Sequence, residues 1–184
     1  MEQDKSFLPQ RGDYKQLAVY QIAQCIFVIT HYFANNYFSK GDRTIDQMIQ
    51  AARSGKQNIV EASIDGNTSR EMEIKLMNVA RGSMHELQAD YEDFLITHNF
   101  CTWSNDDPRT QQMRSFARRH NDPEIYLEKI KQRSPETIAN VALTLIHQYD
   151  YLMVRLIERI KRRFLEEGGI KEEMYRARIN HRKQ

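Results

Sequence analysis

Apolar residues recur at helical spacing along four long stretches of the chain. In the first, Asp13 is a candidate cap for a helix from Tyr14 to about Phe38, with Leu17, Ala18, Ile22, Cys25, Ile26, Ile29, Phe33 and Tyr37 on one stripe. Val19, Phe27 and Val28 fall outside that stripe. A helix so apolar around its circumference predicts burial on more than one side, by its own bundle or by another subunit. Ser39 to Asp42 makes a turn, and Asp42 or Thr44 caps a second helix reaching about Ser63. Its stripe is Ile45, Met48, Ile49, Ala52, Gly55, Ile59 and Ala62. Asp65-Gly66-Asn67 breaks the chain, and Thr68 to Glu71 reads as a capping box. The third helix then runs to about Thr97, with Met72, Leu76, Val79, Ser83, Leu87, Tyr91 and Phe94 along one face.

Three capping residues followed by proline punctuate the next segment: Asp107-Pro108, Asp122-Pro123 and Ser134-Pro135. Proline suits the first helical position, where its missing N–H is no loss. Two short helices are predicted, about 108–119 and 123–132, with Trp103 in the loop leading in. A fourth long helix runs from Pro135 to the Gly168-Gly169 stop. Ile138, Ala142, Leu145, Tyr149, Leu152 and Leu156 form a coiled-coil-like seam along it, widened by Ile146, Met153, Ile157 and Ile160. The economical fold is all-α: an antiparallel four-helix bundle with two short helices between the third and fourth long helices and a basic C-terminal tail. One domain spans residues 1–184, made of a three-helix portion (14–98), a connecting segment (99–134), the fourth long helix (135–167) and the tail (168–184).

Composition narrows this further. The chain has 184 residues, 40% of them apolar and 28% charged, with 7 Gly and 4 Pro, too few turn residues for a sandwich or barrel. The charged N-terminus lacks a signal-peptide core, and no apolar run is long enough for a bilayer, so a cytoplasmic protein without membrane partners is expected. Two cysteines, Cys25 and Cys101, make neither a disulfide framework nor a metal cage.

The second helix carries an unusual polar flank. Gly55 costs about 1 kcal/mol relative to Ala in a helix interior, which points to close backbone approach, with Ala80, Gly82 and Ser83 of the third helix as small partners. Ser54, Asn58 and Glu61 line one side of the same stripe. On spacing alone they are a solvated flank. ARSGKQNIVEAS, followed after a turn by NVARGSMHELQADYEDFL, resembles the 23S rRNA intervening-sequence proteins, the bacterial four-helix-bundle family. The matching positions are Ser54, Asn58, Ile59 and Glu61, then Ala80, Gly82, Ser83, Glu86 and Leu87. Ala62 stands where that family usually has glycine, so the helix is expected to run on toward Gly66. LIHQYDYLMVRLIERIKRRFLEEGGIKEEMYRAR resembles the C-terminal suffix segment of one branch. The resemblance implies a four-helix bundle, homo-oligomers with a pentamer favoured, and no established activity. It also favours reading the flank as a buried or interfacial network that fixes helix register.

Catalytic chemistry is mostly absent from the pattern. His85-Glu86-Leu87-Gln88-Ala89 begins like a zinc-protease motif but has Ala89 in place of the second histidine, and no histidine follows a glutamate by three residues. No phosphate-binding glycine loop is present, and the pattern predicts no enzyme, cofactor or metal. Charge gives the one positive signal. Net charge is +2, yet residues 155–184 hold 10 Lys/Arg against 5 Asp/Glu. Arg155, Arg159, Arg162 and Arg163 share a helix face, and Arg176, Arg178, Arg182 and Lys183 follow on the tail. A solvated helix end accounts for such a stripe, since cations are favourable near a helix C-terminus. The functional alternative is contact with nucleic acid, RNA first, by a non-enzymatic self-assembling scaffold. The competing expectation is a protein adaptor or assembly factor whose partner is another, unidentified protein.

Overall fold

A computed structural model describes residues 13–66 and 69–182, and among these the chain is all-helical, without strands. The helices are α1 (Ala18–Tyr37), α2 (Arg43–Asp65), α3 (Arg70–Thr97), α4 (Pro108–Ala117), α5 (Pro123–Ile130), α6 (Pro135–Glu167) and α7 (Ile170–Arg182), preceded by a 3-10 turn at Tyr14–Gln16. Asp13 does act as a cap, but of that turn: its carboxylate accepts from the Lys15 N–H at 3.0 Å. Leu17 is extended, so α1 starts four residues later than the apolar pattern suggests.

The other caps follow the local chemistry closely. Asp42, Asp107, Asp122 and Ser134 each accept a backbone N–H from the first turn they precede, satisfying donors that would otherwise be orphaned. At α3 the cap is Ser69, whose hydroxyl accepts from the Met72 N–H at 3.2 Å; Thr68, the expected cap, lies outside the described residues. Proline opens each of α4, α5 and α6. Gly168, with φ of 79°, ends α6 in a conformation that side chains disfavour.

One hydrophobic core draws on α1, α2, α3 and α6. Neighbouring contacts run α1 to α2, α2 to α3, α3 to α6 and α6 back to α1, with α2–α3 the most extensive. Across the middle, the Tyr91 hydroxyl donates to Thr30 Oγ1 at 3.0 Å, both residues being fully buried. Phe33 stacks its ring against Tyr91 and Phe94 at centroid distances of 5.0 and 4.7 Å. Such aromatic pairs contribute about 0.5–1.5 kcal/mol each beyond their burial. The connecting segment folds back on this core, α5 against α1 and α4 against α6. The second apolar side of α1 is therefore covered in part within the chain: Val19 is buried, while Phe27 and Val28 stay half-buried.

Two stripes differ from the pattern. On α3 the inward residues are Glu73, Met77, Ala80, Met84 and Leu87, whereas Met72 and Val79 are 41% and 44% exposed. Both stripes have helical period and meet from Ser83 onward, through Leu87, Tyr91 and Phe94; a charged residue, Glu73, at the start of the true one hid it. On α6 the seam holds through Ile138, Ala142, Leu145 and Tyr149, all fully buried. Leu152 and Leu156 then become half-buried as Met153, Ile157 and Ile160 take over. An uninterrupted α-helix drifts off a strict seven-residue repeat in this way. Among the described residues, α7 shares no substantial interface with the other helices. No described helix is long and apolar enough to cross a membrane.

Candidate functional site

The quoted family-like motifs meet at the α2–α3 seam. Asn58 Nδ2 donates to the Ser54 carbonyl at 2.9 Å and to Ser54 Oγ at 3.1 Å, and Ser83 Oγ donates to Ser54 Oγ at 2.9 Å. Three of the singled-out polar residues thus form one chain that locks α2 to α3 in register. Gly55 is buried, but its close neighbour is Met84, not Gly82: a Cβ at 55 would come within 2.7 Å of Met84 Cε and 2.9 Å of Met84 Cγ. Ala80, Ser83 and Leu87 are buried beside it. Gly82, Glu86 and Glu61 are exposed. Glu61 thus lies outside the bonded chain of Ser54, Asn58 and Ser83, and Arg81 on the neighbouring turn of α3 is engaged elsewhere. Its guanidinium donates to both Asp150 oxygens, at 2.5 and 3.3 Å, and His85 Nε2 meets Asp150 Oδ1 at 2.8 Å. Partial burial pushes the Asp150 carboxyl up, but the bonds from Arg81 and His85 outweigh it and hold it below the usual range. Beside the seam, Asp46, Glu86 and Asp90 line an acidic groove of about 600 Å³. Burial, then Asp93 and Glu86, raise the Asp90 carboxyl.

His98 and Cys25 are taken up in packing. His98 lies over Phe94 with ring centroids 4.1 Å apart and bonds the Phe94 carbonyl. Cys25 is buried, which pushes its thiol up to about 12, so it is a poor nucleophile. Among the described residues no three His, Cys, Asp or Glu side chains come together as a metal site.

The basic stripe divides. Arg159 and Arg163 border a cleft of about 300 Å³ that also contains Asp13 and Glu73. The Arg163 carbonyl accepts from Arg70 Nη1 at 3.1 Å. Arg155 turns outward, donating to the Tyr151 hydroxyl at 3.0 Å with its guanidinium carbon 5.6 Å from the Tyr151 ring centre. Arg162 is exposed, as are Arg176, Arg178 and Arg182 on α7; Lys183 lies outside the described residues.

The fold adds cations that sequence reasoning missed. Arg114 and Arg118 of α4 share a cleft of about 400 Å³ with His147, Gln148, Tyr151 and Leu152 of α6. Arg114 donates to Asn105 Oδ1 and Arg118 to the Arg114 carbonyl, so neither faces a carboxylate. The available signal was a four-residue row on α6, His147, Tyr151, Arg155 and Arg159, continuing the noted stripe toward the N-terminus. Its pairing with α4 required the three-dimensional fold. This edge, carrying an exposed tyrosine flanked by guanidinium groups, can bind phosphates and offer an aromatic ring for stacking. Comparison with family models, with curated proteins and with solved structures finds no match.

Proposed function

We propose that the chain is an antiparallel four-helix-bundle protein, α1, α2, α3 and α6 forming the bundle, that assembles with itself and holds nucleic acid as a non-enzymatic scaffold. The closed order of neighbouring contacts among those four helices supports the architecture. The resemblance to the 23S rRNA intervening-sequence proteins favours a pentamer, and the charged N-terminus and unpaired cysteines favour a cytoplasmic setting. RNA is the preferred ligand. The observation that carries the nucleic-acid reading is the α4–α6 edge, where Arg114 and Arg118 share a cleft with Tyr151, itself 59% exposed, and Arg155 bonds the Tyr151 hydroxyl, none of the three in an ion pair among the described residues. Contacts of this kind neutralise phosphates whatever the base sequence and weaken steeply with salt. Fluorescence anisotropy with labelled single-stranded RNA tests it: saturable binding at about 50 mM salt, where screening is modest, is expected. Absence of RNA and DNA binding there removes the reading.

A second reading, a protein adaptor, has its own support. Ile64 on α2 and Met72 and Val79 on α3 are exposed, with half-buried Val60 one turn before Ile64 and half-buried Leu76 between Met72 and Val79. The short α2–α3 turn and the Ser54–Ser83 bond bring these residues to one end of the seam. Apolar surface gathered there fits a protein contact, with another copy or a different chain. Light scattering at micromolar concentration checks self-assembly; a monomer contradicts it.

A further inference from the structure

On the opposite side of α4 from the Arg118 cleft, a groove of about 530 Å³ opens between α4, α5 and the start of α6. That volume is in the usual range for small-molecule pockets, about 300–1,000 Å³. Its apolar wall includes Met113, Phe116 and Tyr126, and its cations are Arg109, Arg119, Lys129 and Arg133; no carboxylate lines it. Arg109 is neutralised and pinned: its guanidinium donates to both oxygens of Asp107 at 3.0 and 2.7 Å and sits 4.6 Å from the Trp103 ring centre. The other three have no such compensation. Arg119 donates from Nε to the Ser115 carbonyl at 3.3 Å, Lys129 lies 5.3 Å from the Phe116 ring centre, and Arg133 is exposed. None of the three forms an ion pair among the described residues. Like charges around an apolar floor repel one another, and an anion between them relieves that repulsion. The Trp103 indole N–H, in the same wall, is shut from solvent and donates to no protein atom.

We propose that this groove binds a nucleotide unit, its phosphate held by Arg119, Lys129 and Arg133 and its planar ring set against the aromatic wall near Trp103. Arginine suits the phosphate because its planar fork donates two parallel bonds to it. The aromatic wall suits the ring, which a bare phosphate lacks. The site is separate from the α4–α6 edge and stands whether or not that edge binds RNA.

The chain has a single tryptophan, Trp103, so its emission reports directly on this groove. Titrating the full chain with adenosine monophosphate, adenosine, inorganic phosphate and a short oligoadenylate separates the sources. A saturable change with the mononucleotide and the oligonucleotide, absent with adenosine and with phosphate, is expected. A response to the oligonucleotide alone assigns the groove to a strand; an equal response to the mononucleotide assigns it to free nucleotides. Both support the proposal. Lys129→Gln and Arg133→Gln, both at exposed side chains, should each weaken binding by about tenfold. No saturable change with either ligand, a response to phosphate as strong as to the mononucleotide, or indifference to the Lys129 and Arg133 changes overturns the proposal. RNA binding by anisotropy without any tryptophan change removes this groove alone and leaves the scaffold reading intact.

Discussion

The α2–α3 seam and the α4–α6 edge both gather polar side chains, and they use them in opposite ways. At the seam, Ser54, Asn58 and Ser83 bond to one another between two tightly packed helices. Their hydrogen-bonding capacity is spent on holding register, and little is left for a ligand. At the edge, Arg114, Arg118 and Arg155 bond to a side-chain amide, a backbone carbonyl and a phenol, none of which neutralises them. Charge left uncompensated on an exposed surface is what a polyanion can use. The motif residues here hold two helices together, and the row of cations is left without such bonds to one another.

The sharpest way to break this contrast is at Gly55. Gly55→Val should destabilise by about 3 kcal/mol, because the new side chain drives into Met84. Combining it with Met84→Ala should cost less than the two changes summed, since the clash is shared. Thermal melts read both. Additive losses would mean that the close approach is not what Gly55 serves.

Asp150 comes next. Asp150→Asn should cost about 1–2 kcal/mol, allowing for solvent screening of a partly exposed pair. The folded carboxyl sits below its unfolded value of about 3.9. Its contribution is thus full above that value and fades as pH falls through the folded one. The gap in Tm between wild type and variant should be widest near neutrality and close in acid.

Two smaller effects separate network from bystander. Ser83→Ala should cost about 1 kcal/mol by removing the link to Ser54. Glu61→Ala, one helical turn away and exposed, should change stability by less than about 0.5 kcal/mol. A Glu61 loss as large as that of Ser83 would place Glu61 back in a buried network, through another subunit.

The long helices were legible because apolar period and caps agree along α2 and α6, and on α1 the period alone sufficed. Asp42 and the Asp-Pro and Ser-Pro pairs set helix starts to the residue. What escaped was orientation. On α3 two apolar rows compete, and only the packing partner decides that Met77 turns inward and Val79 outward. The cations of α4 escaped for a related reason: Arg114 and Arg118 are unremarkable until α4 is laid against Tyr151. For Glu61 spacing alone reads as a solvated flank, in keeping with its exposure within the chain, and only the resemblance draws it toward a network.

The contrast between seam and edge is tested most directly by RNA affinity as a function of salt. For single strands the logarithmic slope changes by about 0.7 for each phosphate contact. Arg114→Gln, Arg118→Gln and Arg155→Gln together should therefore lower affinity and flatten the slope by about 2. Deleting residues 170–184 should flatten it further without unfolding the rest, since α7 shares no substantial interface with it. Ser83→Ala should leave both affinity and slope as in the wild type. An unchanged slope in the triple variant, or a slope that follows the Ser83 change instead, contradicts the account.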